Sequence, residues 1–231
     1  MELNFKKAFD TLGPSLLDGI GIVIYITLIG FLLALIVALF LAIGRLSKNK
    51  ILVRILIIFI EIIRGTPLLV QFFYIYFVIP MLANGIASMA GYVANVQFAA
   101  TTCGIVGFAI NYGCYMSEVV RSAIVSIDPG QREAGLALGF SEKQVMLHFI
   151  IPPALRNTVP VYGNYLVMMI KDTSLLAMIS VQELLLRTKT FASQTFLTVE
   201  AYTMLALVYL MLSIPLSQVV RIVERKLNQD K

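Results

Sequence analysis

Asp172 stands beside Lys171 in the stretch KDTSLL, inside an otherwise apolar run. A helix beginning near Thr158 carries it about 21 Å, roughly two-thirds of the way through a hydrocarbon layer of ~30 Å. A carboxylate at that depth costs on the order of 2.5–3.5 kcal/mol unless it is paired or faces water, so it needs a reason to be there. Two reasons are compatible with its neighbours. With Thr173 and Ser174 it can cap a second half-helix where the span breaks, or the break can open polar groups onto a cavity able to bind a zwitterion. Lys171, about 100° round a helix from Asp172, is a poor partner for it and can meet a bound carboxylate or snorkel outward. Gln71, Asn111, Tyr112 and Tyr115 are further polar groups in apolar surroundings, and Asn111 and Tyr115 share a helix face. With Lys171, Asp172 and Ser174 they form the candidate pathway set. The alternative for each is an interhelical hydrogen bond, about 0.6 kcal/mol on average in bilayers.

Catalytic chemistry has little to work with. No Gly-rich loop ending in Lys-Ser or Lys-Thr occurs, so this chain is not expected to hydrolyse ATP. His148 is the only histidine, with no ligand cluster for a metal and no nucleophile to activate. Catalytic and metal-ligating residues are therefore expected to be absent. Cys103 and Cys114 fall about 16 Å apart along one expected helix, too far for a disulfide, and should simply pack.

The elements that carry these residues are membrane helices. Of 231 residues, 59% are hydrophobic and 13% charged, against roughly 45–50% and about 25% in soluble domains. Unbroken Leu, Ile and Val runs without two-residue alternation argue against an outer-membrane barrel. The net charge of +5 does not indicate nucleic acid, because the basic residues gather at the ends of apolar runs, as topology determinants do.

Apolar length against charge predicts an all-α integral membrane fold with five transmembrane helices, at about 19–43, 67–80, 98–120, 158–181 and 202–220. The second tract, 51–80, is about 45 Å long if wholly helical and exceeds the bilayer core. Its first half, with Arg54, Glu61 and Arg64, reads as an amphipathic lead-in in which Glu61 and Arg64 form a local ion pair. Lys and Arg concentrate in 45–64, in 121–156 and in the tail from Arg221, while 81–97 has none. This places the N-terminus outside and the C-terminus inside. Residues 1–18 are then an extracytoplasmic segment, 19–220 the membrane domain and 221–231 a cytoplasmic tail. The N-terminus lacks the charge, apolar and cleavage order of a signal peptide, so the first span is expected to be an uncleaved anchor.

On that topology the charged stretch GQREAGLALGFSEKQVMLHFIIPP is a cytoplasmic loop between the third and fourth spans. Asp128 precedes Pro129 as a helix cap, with Gln131 at the box-closing spacing. Gly139 supplies a left-handed stop, Ser141 to Gln144 repeats a capping box for a second short helix, and Pro152-Pro153 is expected to break the path before the next span.

EAGLALGFSEKQVMLHFIIP resembles the EAA loop of importer-type ABC transporter permeases, whose pattern is Glu-Ala-Ala, three residues, Gly, nine residues, Ile-x-Leu-Pro. Glu133, Ala134, Gly139 and Pro152 match, while Gly135, Phe149 and Ile151 depart. Gly135 should loosen the helix by about 1 kcal/mol relative to alanine. EIIRGTPLLVQ, KDTSLL and SEVVRSAIVSIDPGQREA resemble the permeases of polar-amino-acid importers, the histidine, glutamine, arginine and cystine group. The resemblance implies that Glu133, Ala134, Gly135, Gly139 and Pro152 belong to a coupling helix that docks in a cleft of a cytoplasmic ATPase. It further implies two ATPase subunits carrying ATP and Mg, no cofactor on this chain, and a second permease copy, identical or related. An extracytoplasmic substrate-binding protein, an amino-acid substrate and a bacterial inner-membrane location complete the expectation. Its rivals are an ion-gradient-driven secondary transporter, against which an odd span count without an inverted repeat stands, and a structural membrane protein in which Asp172 is only a cap.

Overall fold

The computed structural model describes residues 3–229. Met1, Glu2, Asp230 and Lys231, the outer ends of the expected N-terminal segment and tail, lie outside the described residues. Every regular element among the described residues is helical. Helix α1 spans Phe5–Arg45, opened by Asn4, whose side chain accepts from the Lys7 amide at 2.9 Å. At 41 residues it is about 60 Å long, twice the hydrocarbon thickness. The helix therefore takes in most of the residues expected to precede the first span.

Helix α2, Lys50–Arg64, is the expected lead-in, capped by Asn49 on the Ile51 and Leu52 amides. Helix α3, Leu68–Phe73, continues through a π turn, Tyr74–Val78, into α4, Ile79–Met89. A second π turn, Met146–Ile150, joins α7, Glu142–Val145, to α8, Ile151–Asp172. Each π turn ends one residue short of a proline: Pro80 in one case and Pro152-Pro153 in the other. Proline lacks an amide donor and crowds the carbonyl one turn back, and the wider turn relieves both demands. The expected break at Pro152-Pro153 is thus absent, and one continuous helical run extends from Glu142 to Ile179.

Helix α5, Ala100–Val125, lies along α1 at the centre of the molecule and buries Cys103, Phe108, Tyr112 and Met116. These pack with Ile26, Ala34, Phe72, Met169 and Leu176 into the main core, where Phe72 meets Phe108 edge-on at 5.3 Å. Beyond α8 the chain tightens into a 3-10 turn, Thr173–Ile179, and Ser180 takes a left-handed conformation with φ 65°. There the path bends by 52° into α9, Leu184–Thr195. Glu183, fully buried, caps α9 by accepting from the Leu185 and Leu186 amides at 2.8 Å each, and accepts from the Tyr209 hydroxyl at 3.1 Å. Tyr209 belongs to α10, Thr198–Gln229. The break in this segment therefore follows Ile179, not Asp172. Capping, one of the two roles considered for Asp172, is performed here by Glu183 at the start of α9.

Among the described residues, three helices are long and apolar enough to cross a membrane: Phe5–Arg45, Leu68–Met89 and Thr198–Leu227. The bent pair Glu142–Ile179 with Leu184–Thr195 makes a fourth if it is one span. Helix α5, the expected third span, is not among them. Its face is turned to protein rather than to lipid, and it accordingly carries glycine, asparagine, tyrosine and serine where a lipid-facing helix carries leucine.

Candidate functional site

A cavity of about 450 Å³ opens between the α2–α3 junction, α5 and α8. The junction contributes Arg64 to Leu68, α5 contributes Asn111, Tyr112 and Tyr115, and α8 contributes Tyr165, Met168 and Asp172. Asp172 accepts a 2.7 Å hydrogen bond from the Tyr112 hydroxyl, and its side chain makes no capping bond to the turn that follows. Thr173 and Ser174 donate back to the Ile170 and Lys171 carbonyls of their own helix. Arg64, which lines the same cavity, lies over the Tyr115 ring, 5.4 Å from its centroid. Its link to Glu61 is long, 3.8 Å, and its Nε is buried with no partner. The expected ion pair is present but long, and Arg64 is among the residues that line the cavity.

Behind the wall, Asn111 donates to Gln71 Oε1 at 3.1 Å, and Gln71 Nε2 donates to the Ile63 and Thr66 carbonyls at 2.7 and 3.1 Å. Gln71 thus ties α5 to the end of α2 without lining the cavity. The Tyr115 hydroxyl donates to the Arg64 carbonyl at 3.3 Å, fixing the same junction. A second open trough, about 500 Å³, shares Arg64, Tyr115 and Tyr165 with the cavity and continues past Ser126 and Asn157. Through these shared residues the trough links the C-terminal end of α5 to the cavity that Asp172 lines.

Of the candidate pathway set, the structure brings Asn111, Tyr112, Tyr115 and Asp172 together. It leaves Lys171 and Ser174 outside the lining. Lys171 is exposed on another side of α8, as the helical angle requires, and the Ser174 hydroxyl is taken by its own helix. Sequence reasoning missed Arg64 and Tyr165. The signal for Tyr165 was its register, since 165, 168 and 172 follow the i, i+3, i+7 spacing of one face. Arg64 was hidden by Glu61, which explained its charge locally.

The second expected feature is an elbow. Helix α6, Pro129–Ala137, starts at Asp128, which accepts from the Gly130 amide at 2.8 Å, without a reciprocal bond from Gln131 among the described contacts. It stops at Gly139, φ 86°, a left-handed position glycine adopts without strain. The Ser141–Gln144 capping box opens α7. Arg132 of α6 pairs with Glu142 of α7, its Nε donating to Oε2 at 3.1 Å, and Phe140 meets Phe149 at 5.2 Å. Gly135 is buried against Val145, and an added Cβ would lie 2.9 Å from Val145 Cγ2. The departure from alanine at Gly135 is therefore a packing requirement, and the two short helices are locked rather than loosened. Glu133, Ala134, Leu136 and Leu138 remain exposed on the outer face, and Pro152 is exposed at the start of α8.

Residues 16–229 match the family model described as binding-protein-dependent transport system inner membrane component. The chain is 35% identical over 228 residues, 99% of each chain, to the glutamine transport system permease protein GlnP of Escherichia coli (strain K12). It is 32% identical over 217 residues, 94% of this chain and 88% of the other, to the L-cystine transport system permease protein TcyB of Bacillus subtilis (strain 168). Among solved structures, an amino acid ABC transporter crystallised with histidines superposes with TM-score 0.87 at 29% identity, covering 98% of this chain and all of the other. A methionine ABC transporter in an inward-facing conformation shares the fold alone, with TM-score 0.60 at 16% identity.

Proposed function

We propose, from the premise that this chain belongs to the binding-protein-dependent transport system inner membrane component family, a route and a mechanism for what it carries. It is a permease subunit of an amino-acid ABC importer, and the ATPase is a separate subunit. Its substrates are polar or charged amino acids, the class to which the glutamine and cystine of its relatives' names belong. A secondary transporter and a purely structural protein are both disfavoured by this membership.

The observation that carries the reading is the presence of both Arg64 and Asp172 in the lining of one cavity. A zwitterion presents a carboxylate and an ammonium, and a guanidinium only loosely paired with Glu61 and a carboxylate held in place by Tyr112 are their complements. The flanking tyrosines give the remaining wall an apolar face with polar tips, which suits a small polar side chain. Pathway residues in this reading are Arg64, Asn111, Tyr112, Tyr115, Tyr165 and Asp172, with Gln71 as their support.

Five spans carry the chain across a bacterial inner membrane: α1, α3 with α4, α5, α8 with its 3-10 extension, and α10. The N-terminus lies outside and the α6–α7 elbow and C-terminus inside. Two copies, or this chain with a relative, form the membrane unit, with two ATPase subunits binding ATP and Mg on the inner face and a binding protein outside. ATP closes the ATPase pair, the elbow transmits that motion as a rigid lever because its halves are interlocked, and the spans rock to admit substrate.

Reconstitution with the cognate ATPase and binding protein, scored by ATP turnover and uptake over an amino-acid panel, tests this. One polar amino acid should raise both, and Glu133→Lys should abolish ATPase association and uptake while the protein still inserts. Uptake without nucleotide, or unaltered transport in Glu133→Lys, would overturn it.

A further inference from the structure

Arg45 ends α1 and Arg121 sits in the last turns of α5, and both reach the same carboxylate. Arg45 Nη1 bonds Glu118 Oε1, and Arg121 Nε donates to Glu118 Oε2 at 2.8 Å. Glu118 is thereby satisfied on both oxygens, and the cluster keeps one net positive charge. The terminal amino groups of Arg121 donate no hydrogen bond among the described residues, and its side chain is 51% exposed.

Directly beside this cluster, and sharing Arg45 and Arg121 with it, runs a groove of about 300 Å³ between α1, α2, α5 and the start of α8, lined by Ala42, Val53, Ile57 and Val120 among others. Leu39, Ile43, Leu46, Val125 and Leu155 stand exposed along it. Large apolar groups exposed on the rim of a membrane helix bundle border hydrocarbon, so the groove opens sideways into lipid rather than into water. The two guanidiniums stand at helix ends, the depth at which the headgroup region begins.

We propose that this groove is a binding site for an anionic phospholipid, with an acyl chain along the apolar floor and the phosphodiester on Arg121 and Arg45. Charge selects the lipid: a zwitterionic headgroup brings its own cation to a cluster that is already positive, whereas an anionic one neutralises it. Because α2, the end of α5 and the first turn of α8 all border the groove, its occupant braces the elements on which the elbow is mounted. The proposal requires only that the chain is embedded in a bilayer, and so stands apart from the transport reading.

The test uses the full chain in nanodiscs of equal parts phosphatidylcholine and phosphatidylglycerol, followed by mild extraction and mass spectrometry of the retained lipid. Phosphatidylglycerol should be enriched over phosphatidylcholine, and Arg121→Gln should cut the enrichment about fivefold, the effect of one basic side chain near an anionic surface. Ala42→Phe, which fills the floor without changing charge, should lower retention of both lipids, and a melting curve in detergent shows whether that variant is folded. Retained lipid that mirrors the disc composition, or enrichment unchanged in Arg121→Gln, overturns the site. So does a Val125→Cys chain that forms a disulfide with a second copy, since the groove is then covered by protein.

Discussion

Tyr112 reaches across from α5 to hold Asp172 at 2.7 Å, so the carboxylate is positioned by a neighbouring helix and not by its own backbone. That distinction separates a site residue from a cap. A cap works on the amides that follow it, whereas Asp172 lines a cavity that Arg64 also lines. A hydrogen bond to a charged group contributes about 1.5–3 kcal/mol, so Tyr112→Phe should free the carboxylate and raise the uptake KM about tenfold. Asp172→Asn should act in the same direction, with the subunit complex intact on gel filtration. Wild-type uptake kinetics in both variants would reduce the pair to scaffolding. The need of Asp172, Asn111, Tyr112 and Tyr115 for polar partners was legible in the sequence, because polar groups at membrane depth are costly, and each has a hydrogen bond from or to another helix. Arg64 was not legible, since a nearby carboxylate at helical spacing already accounted for it, and only the fold shows that Glu61 holds it loosely.

The elbow depends on how two short helices meet, and there intrinsic propensity and packing pull in opposite directions. Replacing Gly135 by alanine favours the helix by about 1 kcal/mol. It also drives a methyl to 2.9 Å from Val145 Cγ2, and Val145 is 1% exposed and stiff at χ1. Overpacking of that kind costs about 1–3 kcal/mol, so packing wins. Gly135→Ala should lower the uptake obtained per ATP hydrolysed in the reconstituted importer, and adding Val145→Ala should restore it by removing the opposed methyls. A double variant no better than the single would show that the interlock does not carry the motion. The caps and the glycine stop of this elbow were readable from residue types, because each satisfies a local backbone demand. The continuity into α8 was not. Pro152-Pro153 normally ends a path, and the π turn that spares it leaves no residue signature. Likewise α9 and its Glu183 cap escaped notice, because Glu183 is recognised only once Tyr209 of α10 is seen beside it.

At the scale of the molecule, α5 decides the topology. Its 26 residues give about 39 Å of helix, enough to cross, yet it is less apolar than the three helices suited to lipid because it runs through the middle of the bundle. A helix surrounded by protein spans a bilayer without presenting Asn111 or Ser117 to hydrocarbon, so its composition reflects its neighbours and not its depth. Five crossings and the proposed orientation follow if α5 is a span; otherwise the segments before and after it share one side of the membrane. Val93 lies in the exposed connection before α5, and Lys143 on the exposed elbow after it. Cys103 and Cys114 are buried and should react slowly with a bulky reagent. In whole cells an impermeant maleimide should therefore label Val93→Cys and spare Lys143→Cys, and in inverted vesicles the pattern should reverse. Labelling of both positions from the same face would remove α5 from the spans and, with it, the outward N-terminus.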